Sequence, residues 1–290
     1  MTGRTQQFGS AHTELKLKTV ESYLRAFTTA LKKQAFELLY IDACAGSGTS
    51  KAKTRSGEAR LVEVDDITVG SAVRALEVQP QFDRYVLNDA KRSNVKSLES
   101  VVKERFPNLV DRVAILHSDA NAALANICRT TDWRRTRAVV FLDPFGLQMN
   151  FSMVRDLGRT EAVDLWYLVP VLAMSRQVKT DGSILEPGGS RIDDILGTRE
   201  WRSAVVAREE GGDTDLFGPL KPSMKKVASA GWFEQVAMRQ LATVFRGGVL
   251  SRALPLGRGG LHEFSLVFAC ANPRPAANAL AKKLAAAVLK

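Results

Sequence analysis

Short apolar runs, each ending in an acidic residue or a proline, dominate the first 170 positions of the chain. They lie at residues 38–42, 84–89, 113–119, 138–143 and 163–170. Helical patterns of apolar and polar residues separate them at 93–105 and 122–128. Runs that are apolar on both faces are typical of central strands in a parallel sheet covered by helices. The alternation therefore predicts an α/β fold with a Rossmann-like, mostly parallel sheet.

Two segments lie outside this alternation. Residues 12–34 carry apolar side chains at helical spacing, which predicts a leading helix that packs on the core. Residues 173–232 combine glycine-rich breaks with short helical patterns, among them a helix predicted over 190–207. We expect this segment to be a helical and loop insertion beside the active face, where loops often select substrates.

The C-terminal part predicts two strands and a helix. The strands are expected at 249–255 and 262–271, and the glycines of 257–260 between them are typical of a hairpin. The final strand is thus expected to be antiparallel, and an alanine-rich helix follows at 276–289. The 290 residues suit one domain, 1–290, with a core of sufficient size.

A glycine turn follows the first predicted strand, in the stretch from Asp42 to Gly48. Paired glycines let a ligand approach the backbone closely. A P-loop is disfavoured, because Lys51 follows a serine and precedes an alanine rather than Ser or Thr. A dinucleotide fingerprint is also disfavoured, since the third glycine is missing and the next strand-ending acid, Asp89, lies too far along.

The spelling Asp-x-x-Ala-Gly-x-Gly instead resembles motif I of S-adenosylmethionine-dependent methyltransferases, with Cys44 where amino-methylating enzymes have Phe. The resemblance implies S-adenosylmethionine as cofactor. Asp89 is placed to accept hydrogen bonds from the ribose hydroxyls, and Asp119 to meet the adenine amino group. Each acid alone also suits a turn or a helix N-cap, and that alternative stays open. The predicted cofactor-binding residues are Asp42, Ala43, Cys44, Gly46, Gly48, Asp89, Asp119 and Ala120.

The fourth run ends in Asp143-Pro144-Phe145-Gly146. It resembles motif IV of methyltransferases that modify exocyclic amines, in which an acidic or amide side chain and backbone carbonyls orient the amino group. The match departs from that pattern, because Phe145 stands at the second proline's place and Gly146 at the aromatic's. The spelling is similar to that of tRNA guanine-N2 dimethyltransferases. These four residues are the predicted catalytic set, and a proline turn after a buried strand is the alternative.

Taken together, the landmarks resemble the three-Cys-motif partner protein family, called TcmP. The resemblance implies a class I methyltransferase fold encoded beside a three-Cys-motif protein similar to a radical-SAM enzyme, which is an expected partner. It implies no substrate. A non-catalytic module that binds this partner or nucleic acid is the alternative function. The matching segments are residues 15–18, 40–48, 118–121, 141–146, 162–168, 196–201, 215–218 and 264–273.

Charge and composition limit the function classes. The 41 basic and 31 acidic residues give a net charge of +10, concentrated in the N-terminal helix, in 129–137 and in 246–258. Such clusters attract a phosphate backbone, so nucleic acid is an expected partner, although a solubilising surface has the same composition. No apolar run reaches the length of a membrane span, and we expect a cytoplasmic protein without a membrane partner.

The sequence gives little support for a metal site or a catalytic cysteine. The three cysteines, Cys44, Cys128 and Cys270, form no Cys-x-x-Cys pair, so no metal site is predicted. Cys44 suits a small buried thiol better than a nucleophile. His262 and Glu263 adjoin the last strand and suggest an acid-base pair, but a structural histidine is the more common case at such a position.

Overall fold

The computed structural model describes residues 11–51, 67–144, 146–208, 214–215, 218–219 and 224–289. The helices are α1 (Ala11–Leu31), α2 (Ser71–Glu77), α3 (Arg92–Arg105), α4 (Ala120–Thr130), α5 (Phe151–Arg159), α6 (Val171–Ser175), α7 (Gly188–Leu196), α8 (Ala230–Val244) and α9 (Pro275–Val288). Short 3-10 helices lie at Pro107–Arg112 and Glu200–Ala204.

Among the described residues, the strands form one main sheet and three small ribbons. They are β1 (Glu37–Asp42), β2 (Thr49–Lys51), β3 (Ile67–Val69), β4 (Arg84–Asp89), β5 (Val113–His117), β6 (Thr136–Leu142), β7 (Val163–Val169), β8 (Val206–Arg208), β9 (Thr214–Asp215), β10 (Gly218–Pro219), β11 (Met224–Lys226), β12 (Gly248–Val249), β13 (Leu254–Leu256) and β14 (Phe264–Cys270).

The main sheet runs in the order β12-β14-β7-β6-β1-β4-β5, with β13 also paired to β14. The pairs β5-β4, β4-β1, β1-β6 and β6-β7 are parallel. Strand β14 is antiparallel to β7, and β12 and β13 are antiparallel to β14. The predicted Rossmann-like sheet with an antiparallel final strand is confirmed.

The strand order reverses between β1 and β6. From β1 the chain continues to β4 and β5 on one side, and then returns to β6 and β7 on the other. The connecting loops therefore diverge beyond the carboxyl ends of β1 and β6 and leave a crevice there. Ligands of open α/β sheets bind at this kind of switch point.

Helices cover both faces of the sheet, as the doubly apolar strands require. One face packs against α4, α5, α7 and α8, and the other against α1, α2, α3 and α9. Helix α1 confirms the leading-helix prediction, although it ends at Leu31 rather than at residue 34. Its Tyr23 is fully buried between Trp166 and Phe268, with ring centroids 5.3 and 5.1 Å away. The apolar side chains of α1 are thus part of the core.

Two predicted elements are wrong in their extent. The helix expected over 190–207 ends at Leu196, because Gly197 adopts a left-handed conformation (φ 66°) that terminates α7. The strand expected over 249–255 consists of two short strands, β12 and β13, and between them the N–H of Leu250 still donates to the carbonyl of Phe268 (3.1 Å). Local periodicity does not reveal such breaks.

The segment 173–232 packs on the α8 side of the sheet. Ile192, Ile195 and Trp201 are buried in the same core cluster as α5 and α8. Its strands form two ribbons, β8 with β11 and β9 with β10. None of the helices among the described residues is long and apolar enough to cross a membrane.

Candidate active site

Two cavities meet at the carboxyl edge of the sheet, on either side of Cys44 and Pro144. The first, of about 440 Å³, is lined by the glycine turn, the start of α1 and the start of β14. The second, of about 350 Å³, lies over β4 and β5 and is lined by Asp89, Asp119 and Ala120. Cys44 and Pro144 line both. The crevice at the switch point therefore has two compartments.

Asp42 forms the base of the glycine turn and is fully buried. Its carboxylate accepts hydrogen bonds from the hydroxyl of Ser71 (2.6 Å) and the backbone N–H of Cys44 (3.2 Å). Burial raises the pKa of Asp42 to about 6, these hydrogen bonds oppose the shift, and the charge of Asp143 adds to it. Asp42 thus shapes the turn from behind rather than lining either cavity.

Asp89 ties the turn to the next strand. It is 4% exposed, and its carboxylate accepts hydrogen bonds from the N–H of Gly46 (3.0 Å), the N–H of Lys91 (2.7 Å) and the side-chain amide of Asn94 (3.0 Å). A carboxylate offers about four acceptor sites, so three bonds leave one for a ligand. Asp89 lines the smaller cavity and fixes the glycine turn at the same time.

The two glycines of the turn are required by the backbone. Gly46 (φ 66°) and Gly48 (φ 79°) both lie in the left-handed region that L side chains rarely adopt. A Cβ on Gly48 would also lie 3.3 Å from Leu98 Cδ2 and 3.4 Å from Val73 Cγ2, whereas one on Gly46 would meet nothing within 4 Å. Gly48 thus allows helix packing, and Gly46 leaves open space on the cavity side.

Asp119 caps helix α4. Its Oδ1 accepts hydrogen bonds from the N–H groups of Asn121 (2.9 Å) and Ala122 (3.2 Å). Its Oδ2 makes no hydrogen bond to any other described residue, and the side chain lines the smaller cavity. The cap and the ligand-facing roles therefore coexist. Ala120, the first residue of α4, lines the same cavity.

Asp143 follows β6 and lines the larger cavity, with its side chain 30% exposed. It forms an ion pair with Lys16 of α1, whose side chain is only 12% exposed. The Lys16 ammonium also lies 5.9 Å from the centroid of the Phe141 ring. A lysine of the leading helix thus places a positive charge beside the predicted catalytic carboxylate.

The structure describes two of the three remaining residues of the predicted catalytic set. Pro144 and Gly146 line the larger cavity, and Gly146 is left-handed (φ 62°). Phe145 lies outside the described residues. An aromatic ring of another element, Phe264 at the start of β14, lines this cavity. Phe264 is an aromatic candidate that the motif comparison did not indicate.

The thiol of Cys44 stays neutral. Burial raises its pKa well above the ordinary value, and four carboxylates add to the shift: Asp42, Asp143, Asp89 and Asp119. The acids from four separate strand ends therefore all lie close enough to Cys44 to act on its thiol. A thiol in this environment is a poor nucleophile, as the sequence indicates.

His262 and Glu263 face different partners. The imidazole of His262 lies 2.7 Å from Ser265 Oγ and 3.4 Å from Glu234, on the α8 side. Glu263 lines the larger cavity and lies 3.7 Å from Arg258. The two side chains therefore form no acid-base pair with each other.

Sequence patterns missed three supporting residues. Lys16 lies in the segment 15–18 that resembles TcmP, but the resemblance assigns it no role in the site. Ser71 starts α2 but reaches Asp42 because the N–H of Gly70 donates to the carbonyl of Gly48 (2.9 Å). Asn88 donates its side-chain amide to the carbonyls of Ala43 and Ser118, both at 3.0 Å, and so joins two site loops. No local motif marks any of them, since each acts across 29 or more positions.

The predicted basic regions occupy different parts of the surface. On α1, Lys16, Lys18 and Arg25 pair with acids. Residues 129–137 run from the end of α4 into the start of β6 and lie at the amino edge of the sheet, away from the crevice. The segment 246–258 spans both edges, since Arg246 precedes β12 at the amino edge and Arg258 lines the larger cavity.

Comparisons with known proteins give similar folds and no family. No family model matches the sequence, and no curated protein matches it. Protein LPL1258 from Legionella pneumophila str. Philadelphia 1, of family-model DUF519, is 13% identical over 93% of this chain and 89% of that chain (TM-score 0.48). Two proteins with methyltransferase names are also similar. One is yhhF from Escherichia coli, which is described only provisionally as a methyltransferase. It is 13% identical over 51% of this chain and 68% of that chain (TM-score 0.29).

The other is the plantazolicin methyltransferase BamL, solved in complex with a triazolic desmethylPZN analog and SAH. It is 11% identical over 91% of this chain and 86% of that chain, with a TM-score of 0.39. None of these likenesses assigns a substrate, so the chemistry of the site rests on its own residues.

Asp42 gives a pH-dependent prediction. Because the folded state holds the proton of Asp42 more tightly (pKa about 6, against a reference of 3.8), ionisation lowers stability as pH rises through this interval. Asp42→Asn removes that loss. We expect the free energy of unfolding of the variant, relative to wild type, to increase by about 2 kcal/mol between pH 4.5 and pH 7.5. Urea unfolding at the two pH values measures it, and an equal difference at both would contradict the buried-acid assignment.

Proposed function

We propose that the protein is an S-adenosylmethionine-dependent methyltransferase. The observation that carries this proposal is the crevice of two compartments, with the carboxylates of four strand ends around Cys44, at the point where the strand order reverses. When bound, S-adenosylmethionine supplies an electrophilic methyl group on a positively charged sulfur. A cationic centre suits a site rich in carboxylates.

Phosphate-bearing cofactors fit these residues less well. Among the described residues, the lysine and arginine that line the larger cavity, Lys16 and Arg258, already lie beside carboxylates. The hydroxyl of Ser71, at the start of α2, donates to Asp42 where a phosphate-binding loop would direct its donors at the ligand. A phosphate group of NADH or ATP in the larger cavity would thus meet cations whose charge carboxylates already balance, which agrees with the incomplete P-loop and dinucleotide motifs.

The residues that line the two cavities suit different parts of the cofactor. Asp89 and Asp119 in the smaller cavity each keep acceptor capacity, which suits ribose hydroxyls and an adenine amino group. Gly46 leaves open space in the larger cavity for the amino-acid portion, and Gly48 lines the same cavity. Ala43, Cys44 and Ala120 supply small walls, and Asp42 holds the turn from behind.

Asp143 is the proposed acceptor for the substrate. Its carboxylate would accept a hydrogen bond from an amine N–H and so orient the nitrogen lone pair, which is positioning rather than covalent catalysis. Lys16 balances its charge until the amine arrives. We propose an exocyclic amine of a nucleobase in RNA or DNA as substrate, on the motif IV resemblance. On the TcmP resemblance, we further propose a three-Cys-motif protein as partner.

Calorimetry tests the cofactor class directly. We expect the purified chain to bind S-adenosylmethionine and S-adenosylhomocysteine saturably, while NADH and ATP show no saturable heat. The fit of both compartments to one ligand predicts that free adenosine and free methionine each bind more weakly than the joined molecule. Equal or tighter binding of NADH or ATP would overturn the proposal, and so would the absence of binding by both sulfur compounds.

A further inference from the structure

A second pair of cavities lies at the opposite, amino edge of the sheet. The first, of about 150 Å³, lies between α1 and α9 and reaches the start of β7 and the end of β14. The second, of about 290 Å³, opens beside it and shares Arg137, Asn272 and Arg274. Neither cavity shares a residue with the crevice at the carboxyl edge. The proposed methyltransferase reaction uses none of these groups.

The smaller of these cavities has an apolar wall. Helix α1, the residues that follow it and helix α9 supply aromatic and aliphatic side chains, among them Phe27, Phe36 and Leu284. Leu280 on its rim is 38% exposed. A flat or short aliphatic group of a few carbon atoms would be removed from water here, which is favourable in proportion to the area buried.

Two arginines, Arg137 and Arg274, lie at the boundary of the two cavities. Arg137 stacks its guanidinium on Phe36, 3.9 Å from the ring centroid, and donates to the backbone carbonyls of Trp133 (3.0 Å) and Thr136 (2.7 Å). Burial lowers the pKa of Arg137, the neighbouring charge of Arg274 lowers it further, and the charge of Asp164 opposes both effects. Neither arginine has a carboxylate within 4 Å among the described residues, and an anion would relieve their repulsion.

The nearby acids already have partners. Asp164 accepts a hydrogen bond from the buried hydroxyl of Tyr23 at 2.6 Å. Glu161, which lines the larger of the two amino-edge cavities, pairs with Arg246 at 2.8 Å. Arg134 lines that cavity as a further cation. Across the two cavities three arginines, Arg134, Arg137 and Arg274, line the site with two acids, Asp164 and the paired Glu161, so the lining charge is net positive by one.

We propose that this amino-edge site binds a small carboxylate with an apolar body, such as an aromatic or short-chain acid. The apolar group would occupy the cavity between α1 and α9, and the carboxylate would lie between Arg137 and Arg274. The fork of each guanidinium matches the two oxygens of a carboxylate. Asn272, which lines both cavities, adds polar atoms at the same boundary.

Benzoate, benzyl alcohol and benzylamine are suitable probes, because they share a ring and differ in charge. By ligand-detected NMR titration of the full chain we expect saturable benzoate binding with a Kd of about 1 mM, ordinary for a ligand of this size, and weaker binding of the other two. Arg274→Gln, at an exposed position, is expected to weaken benzoate binding about tenfold. Arg129→Gln, which removes an exposed arginine of the basic segment 129–137 that lines neither cavity, is expected to change nothing.

A matched pair of variants on α9 tests the cavity itself. Ala277→Leu fills space in the cavity, whereas Ala276→Leu adds the same side chain at an exposed position that does not line it. We expect only the first to abolish benzoate binding. Absence of saturable benzoate binding, equal binding of benzylamine, or equal benzoate affinity in Arg274→Gln and wild type would overturn the proposal. Thermal unfolding verifies that each variant is folded.

Discussion

Asp143→Ala is expected to lower methyl transfer by about 10³-fold while S-adenosylmethionine affinity stays within about threefold of wild type. The physical reason is the position of the carboxylate. Asp143 lines the larger cavity beside Pro144 and Gly146, whereas the acids proposed for the adenosine lie in the smaller one. Its removal therefore eliminates the acceptor that orients the amine and leaves the adenosine contacts in place.

Transfer of a radiolabelled methyl group to total RNA, DNA and small-molecule fractions measures this effect, and calorimetry measures cofactor affinity. Asp143→Asn keeps the shape and one acceptor oxygen, so we expect a smaller loss. Asp156→Asn on α5, an acid paired with Arg159 at 3.4 Å and absent from both cavities, is the matched control. Retained transfer in Asp143→Ala would refute the role of this carboxylate.

Asp89→Ala is expected to weaken S-adenosylmethionine binding about 100-fold, or about 3 kcal/mol. Two losses combine. The proposed ribose acceptor disappears, and the N–H groups of Gly46 and Lys91 lose a buried partner, which costs about 1 to 3 kcal/mol for an unsatisfied group. The glycine turn is then no longer held against β4. Methyl transfer at saturating cofactor is expected to fall much less.

Ser97→Ala separates the two losses. The Ser97 hydroxyl donates to the carbonyl of Ser47 (2.9 Å), so it also holds the turn, but Ser97 lines neither cavity. We expect its removal to change cofactor affinity by less than about threefold, because only one neutral hydrogen bond is lost. If Asp89→Ala binds the cofactor as tightly as wild type, the assignment of Asp89 fails. If Ser97→Ala matches Asp89→Ala, the effect belongs to the turn alone.

Much of the sheet could be predicted, because burial on both faces leaves a continuous apolar run in the sequence. Strand β4 was predicted with its observed bounds, Arg84–Asp89, and the runs near β1, β6 and β7 were each found within a few residues. Parallel strands bring their carboxyl ends to one edge, so the meeting of Asp42, Asp89, Asp119 and Asp143 followed from their positions after the runs.

The residues between Gly48 and Ser71 show where local patterns fail. The ribbon of β2 and β3 was not expected, since three-residue strands leave no periodic signal. It returns the chain to the glycine turn, so that Gly70 bonds to Gly48 and Ser71 reaches Asp42. As a consequence, helix α2 starts 29 positions beyond Asp42 and yet supports the site.

The sequence alone determined the fold class, the order of the main strands along the chain and the acids at their ends, because burial and turn chemistry act on near neighbours. Tertiary structure decided which distant groups meet. Lys16 pairs with Asp143 across 127 positions, the basic segment 246–258 spreads over opposite edges of the sheet, and Arg137 approaches Arg274 beneath α9. Such pairings depend on how helices pack across the sheet and where each side chain then points, and neither is encoded in local periodicity.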